Sequence, residues 1–214
     1  MGGVKVLAVR RASRFVYSEP MDKERTTQEV MQKLGDDCDR CHEHLMACID
    51  AGTRDSEGNI EADYEFYARQ FIRAVFAYLE ATTYSVKAWS AGYCMENDIE
   101  ITPQERYFAT DTEYELDEKG KVIEAIAKIS LARNIRFALS LNRRAHKVAE
   151  PFDASVKWWG CLREAIKIRD RLTHPKMPAD LDVSPEDIIK VIEAKVGFEQ
   201  EVMRHSDSDA PSPP

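Results

Sequence analysis

Residues 60–92 read IEADYEFYARQFIRAVFAYLEATTYSVKAWSAG, and this stretch decides the fold. Tyr64, Tyr67, Phe71, Val75, Tyr78, Val86 and Trp89 recur at helical spacing, as one face of an α-helix does. Ala68, Ile72, Phe76 and Leu79 form a second stripe beside the first. A helix that is apolar on more than one face has several neighbours, so this pattern predicts the middle of a helical bundle.

On the N-terminal side, Val30, Leu34, Cys38, Cys41, Leu45 and Cys48 step by four and three, which predicts a helix over 27–51. Gly52 is a natural stop, and Asp55-Ser56-Glu57-Gly58-Asn59 reads as a loop. Residues 1–20 look irregular, with a short strand over 4–9. On the C-terminal side the pattern breaks over 96–121, where Thr102-Pro103 and Lys119-Gly120 are turn signals. Tyr114, Leu116 and Val122 predict a small β-hairpin around Asp117 to Gly120. A third helix is expected over 122–148, striped by Val122, Ile126, Ile129, Ala132, Ile135 and Leu139. Pro151 marks a boundary, a fourth helix is expected over 153–173, and Pro175 ends it. Ser184-Pro185-Glu186-Asp187 is a strong start for a fifth helix that runs to Met203. The fold class is therefore all-α: an antiparallel bundle of about five helices, with a small hairpin near 112–123. Residues 1–59 are expected to pack their helix on a helical domain spanning 60–205. Residues 206–214, rich in Ser, Asp and Pro, are expected to be a disordered tail.

Hydrophobic residues make up 43% and charged residues 32%, an ordinary globular balance. No apolar run is long enough to span a bilayer, and the first residues lack a signal-peptide layout. Gly2 does not predict myristoylation, because Val6 stands where Ser or Thr usually does. These observations predict a cytoplasmic protein with no membrane partner. The five cysteines, an odd number, are expected to be reduced thiols. Cys38-Asp39-Arg40-Cys41-His42 matches a haem-attachment pattern, and His44 and Cys48 lie nearby. All three cysteines sit on the apolar stripe, however, where a small hydrophobe belongs. They are read as core residues, with no metal and no cofactor expected. The net charge of −8 disfavours nucleic acid, but residues 121–176 carry 13 Lys and Arg against 5 Asp and Glu.

That basic segment ends in the stretch that carries chemistry: Ile168-Arg169-Asp170-Arg171-Leu172-Thr173-His174-Pro175-Lys176. Trp158, Cys161, Ala165, Ile168 and Leu172 are enough to seat the fourth helix in the core. A second stripe, Trp159, Leu162 and Ile166, points on to Asp170 and Thr173, with Arg169 and His174 at its edges. This second stripe is expected to need cover from a second copy of the chain, which predicts a homodimer. Asp170 and His174 are four apart, so a carboxylate could orient the imidazole. Arg169 could grip a phosphate in a fork geometry. A His, an orienting acid and an Arg are the parts needed to cleave RNA without metal. The spacing alone also fits a surface pair that caps the last carbonyls of the helix.

Arg169-Asp170-x-x-x-His174 resembles the R-x(4–6)-H signature of the HEPN superfamily, in which a polar residue commonly follows the Arg. The flanking Ile168, Leu172 and Pro175-Lys176 are similar too, as is the place of the motif at the end of the penultimate helix. The resemblance covers roughly residues 60–204. It implies a helical bundle that often dimerises and brings two motifs together. Many members are metal-independent endoribonucleases of toxin–antitoxin, phage-defence or RNA-processing systems, and others are binding or structural modules. By position, Arg169 and His174 would be catalytic and Asp170 would orient them. Arg171, Lys176, Arg143 and Arg144 would contact RNA, and Glu80 or Arg73 could add polar groups. The partners implied are RNA, a second copy, and an antitoxin or other protein. The alternative function is a non-catalytic module that binds a protein, a nucleotide or RNA.

Overall fold

A computed structural model describes residues 20–52 and 62–204. The expected strand at 4–9, the loop at 55–59 and the tail at 206–214 lie outside the described residues. Six helices and one hairpin follow in the order α1 (Pro20–Ala51), α2 (Ala62–Glu96), α3 (Pro103–Ala109), β1 (Thr112–Leu116), β2 (Val122–Ile126), α4 (Leu131–Ala145), α5 (Lys157–Thr173) and α6 (Pro185–Met203). A 3-10 turn, Pro178–Leu181, joins the last two helices. The fold is thus mostly helical with a small antiparallel hairpin, as the periodicity predicts. Among the described residues no helix is long and apolar enough to cross a membrane.

Helix α2 is the spine. Ala68, Phe71, Ile72, Val75, Phe76 and Leu79 are all buried in one core with Cys38 and Leu45 of α1, Ile135 and Leu139 of α4, and Val191, Ala194 and Phe198 of α6. Its far end joins a smaller core, where Ala91 and Cys94 meet Ile101, Ala109, Leu141 and Ala145. Gly52 ends α1 at φ 105°, a left-handed conformation in which a side chain would be strained. Cys38 is buried, and Cys41 and Cys48 pack against the same core, which is the place the stripe assigns them. His44 stacks on Tyr67 of α2 at 4.9 Å between ring centroids, and His42 meets Phe71 at a tilt, at 5.5 Å.

Four expectations need correction. Helix α3 arises where only a turn is expected: Thr102 caps it, Pro103 is its first residue, and the Glu105 carboxylate returns to the Thr102 N–H at 2.8 Å. Helix α4 begins at Leu131 rather than 122, because Val122, Ile123 and Ile126 belong to β2. These β-branched residues pair across to β1, Leu116 opposite Val122, and Asp117 to Gly120 forms the turn. Helix α5 begins at Lys157 rather than 153, because the Asp153 carboxylate accepts the N–H and hydroxyl of Ser155 and turns the chain there. Finally, Trp159 and Leu162 are buried inside the single chain and Ile166 is packed against the same core. The second stripe of α5 needs no second copy to cover it, so it gives no support to a dimer.

Candidate functional site

The motif emerges at the C-terminal end of α5 on the polar side of two packed helices. Arg169 is held in place from three directions. Its guanidinium lies over the Phe76 ring at 5.4 Å, donates to Glu80 of α2 at 2.5 Å, and donates to its neighbour Asp170 at 3.1 Å. Glu80 thus joins the site, whereas Arg73 is exposed on the same helix and makes no ion pair among the described residues. Asp170 binds Arg169, and no hydrogen bond joins its carboxylate to the His174 imidazole. The expected Asp170–His174 pair is therefore replaced by Asp170–Arg169. The reason is local: His174 is the C-cap, at φ −128° and ψ 58°, and only its backbone N–H returns to the Asp170 carbonyl, at 3.0 Å. Leaving helical dihedrals swings the imidazole away from its position four residues on. Thr173 spends its hydroxyl on the Arg169 carbonyl at 2.8 Å.

Beside this end lies an open hollow of about 510 Å³, lined by Asp170, Arg171, His174, Lys176 and Asp180. His174 and Lys176 are exposed on it. Arg171 also borders the hollow, but its guanidinium is committed to the protein. It donates to the carbonyls of Asp180 (2.7 Å) and Asp182 and to the Asp187 carboxylate at 2.8 Å. It fastens α5 to the 3-10 turn and to the start of α6, so its expected role in RNA contact is replaced by a structural one. The Asp180 carboxyl accepts the N–H groups of Lys176 and Met177, which hold it below its ordinary range.

Arg143 and Arg144 stand elsewhere. Arg143 pairs with Glu201 at 2.7 Å and donates to the Glu150 carbonyl at 2.9 Å. Arg144 grips both oxygens of Glu105, at 2.6 and 3.2 Å. On α6, Arg171 meets Asp187 and Arg143 meets Glu201, fourteen residues apart. At 1.5 Å per residue that separates them by about 21 Å along the helix. The motif and the Arg143–Arg144 pair are at opposite ends of the bundle. Neither forms one surface with the other.

No protein-family model, curated protein or solved structure matches the chain.

Two further features escape the pattern of the sequence. Lys87 of α2 is fully buried, and its ammonium donates to the Asp111 carboxylate, to Asn134 at 2.7 Å and to the Phe108 carbonyl at 3.2 Å. A lysine inside the apolar run of α2 is the signal that an acidic partner waits elsewhere, here the half-buried Asp111. Trp89, expected in the core stripe, is instead 43% exposed and stacks on Tyr93 and His146. The stripe of α2 runs out at Val86 and Trp89 into a groove between α1 and α6, lined also by Tyr78, Thr82 and Lys195.

Proposed function

We propose that the end of α5 is a metal-independent RNA-cleaving site of the HEPN type. His174 would take the proton of a ribose 2′-hydroxyl as its oxygen attacks the adjacent phosphorus, and the 5′-oxygen would leave and take a proton from water. The products would be a 2′,3′-cyclic phosphate and a 5′-hydroxyl. Arg169 would hold the phosphate oxygens, and a second copy would bring a second motif to the same strand. The observation that carries this reading is the exposure of the His174 imidazole on an open hollow, one turn from an anchored arginine. Asp170 is more than half exposed, and its 3.1 Å bond to Arg169 is the one a phosphate can displace most readily.

One observation favours a second reading, a non-catalytic module that binds a protein such as an antitoxin rather than RNA or a nucleotide. Two carboxylates, Glu80 and Asp170, already neutralise Arg169, and the hollow carries Asp170 and Asp180. The deciding experiment exposes a mixed RNA pool to the protein in EDTA, with His174→Ala as control. Cleavage with cyclic-phosphate ends that the variant lacks supports the enzyme. Retention of a protein partner without cleavage supports the module. Identical activity in wild type and variant removes His174 from any mechanism.

A further inference from the structure

The ribbon of β1 and β2 is unfinished on one face and along one edge. Tyr114, Leu116, Val122 and Ile126 share a face, and all four are exposed. Contiguous exposed apolar side chains mark an interaction surface. The bonds from the Ala127 N–H to the Asp111 carbonyl and from the Asp117 N–H to the Lys121 carbonyl fix the alternation of the ladder. Glu113 and Glu115 therefore bond to β2, and the backbone N–H and C=O groups of Thr112, Tyr114 and Leu116 point away from it. Such an edge is a template for a further strand.

Charge selects the occupant. Residues 112–126 carry five Asp and Glu against two Lys, and neither Glu113 nor Glu115 is in an ion pair among the described residues. A second copy of β1, paired antiparallel about Tyr114, would set Glu113 opposite Glu115, like charge against like. The chain itself holds a complement. Val4-Lys5-Val6-Leu7-Ala8-Val9 is rich in strand formers, and residues 1–19 carry four Lys and Arg against one acid. These residues lie outside the described ones, which begin with α1 at Pro20. Helix α1 runs antiparallel to α2, with His44 on Tyr67 and Gly35 beside Tyr78. Pro20 is fifteen residues before Gly35, about 22 Å along the axis. Lys87, which holds Asp111 at the foot of the ribbon, is nine residues beyond Tyr78, about 14 Å the same way. Residues 10–19 reach about 33 Å when extended, more than this offset together with the roughly 10 Å width of α2.

From edge, charge and reach we propose that residues 4–9 pair with β1 as a third strand, antiparallel to it. Val4, Val6 and Ala8 stand opposite Leu116, Tyr114 and Thr112 and extend the apolar face. Lys5 stands opposite Glu115 on the other face. A third strand steadies a ribbon that two strands leave marginal, so the ribbon still opens ahead of the helices, but less often. The inference does not depend on the reading of the motif.

The test is amide hydrogen exchange, followed by NMR on the full chain. The outward N–H groups of Thr112, Tyr114 and Leu116 are ones that β2 cannot protect. They should exchange about tenfold more slowly in the wild type than in Val6→Pro, which deletes a strand donor outside the ribbon. The amide–amide contact of Glu113 with Ala125 should persist in both, which reports the ribbon intact. Lys5→Glu should cost about two- to fivefold of the protection, and Lys5→Glu with Glu115→Lys should restore it. The inference fails if the three amides exchange equally fast in wild type and Val6→Pro, or if the charge reversal restores nothing. It also fails if the protection fades on dilution, since the strand then comes from a second copy.

Discussion

At the scale of the residue, the motif is a lesson in what spacing does not fix. A separation of four places Asp170 and His174 together only while the helix continues, and His174 is the residue at which it stops. The carboxylate turns to Arg169 instead. Asp170→Asn should therefore act on the arginine rather than the histidine. If the site cleaves RNA, this variant should change apparent RNA affinity and leave the pH profile of cleavage in place, which steady-state kinetics at several pH values would check. A second residue is fixed by space alone. A Cβ at Gly197 of α6 would fall 2.2 Å from Cγ of Trp158. Trp158 packs against Phe152 and Trp159 and has little room to yield. Gly197→Ala should cost about 1–3 kcal/mol in denaturant unfolding despite better helix propensity. Trp158→Leu in the same chain should recover part of that loss, and a double-mutant cycle would measure it.

At the scale of the element, the region between α2 and α4 is held by two ionic anchors. Lys87 ties the end of α3 and the start of the hairpin to α2 and α4. Lys87→Met would strand a carboxylate, an amide and a carbonyl, and should destabilise the fold by about 3 kcal/mol. Arg144 holds α3 through Glu105, whose carboxyl its guanidinium pulls from 4.5 down to about 2. A carboxyl depressed in the folded state contributes stability above its unfolded value and loses it as pH falls through the folded one. Glu105→Gln keeps the capping geometry but removes the charge. Its stability deficit should be full at pH 7 and should close between pH 4.5 and about 2, as urea unfolding across that range would show. The existence of α1, α2, α5 and α6 was legible because long apolar periodicity and the Ser184 capping box are strong local signals. The short α3 carries the same kind of box, Thr102-Pro103-Gln104-Glu105, but its seven residues are too few for periodicity to announce it. The start of α4 was illegible for the opposite reason: Val122 and Ile126 satisfy a helical step and a strand alternation equally well.

At the scale of the whole molecule, charge asymmetry along the chain becomes charge pairing in space. Of the 13 basic residues in 121–176, Arg143, Arg144, Lys157, Lys167, Arg169 and Arg171 are in ion pairs. Five of these six reach carboxylates on α2, α3 or α6, outside the segment. The basic stretch is in good part the inner counterpart of an acidic protein, a relation that no linear count of charges reveals. The groove was hidden likewise, since its walls come from helices far apart in the chain. The hairpin shows the other extreme. Leu116, Val122 and Ile126 are 69%, 60% and 80% exposed, and the ribbon rests mainly on α3, where Tyr114 meets Tyr107 edge-on at 4.7 Å. So little burial cannot couple the ribbon to global unfolding, since two strands alone are marginal in water. Amide protons of Thr112–Leu116 and Val122–Ile126 should therefore exchange with deuterium through a local opening, orders of magnitude sooner than those of α2. The boundary between the fast and slow amides should fall at Asp111, where the buried lysine takes hold.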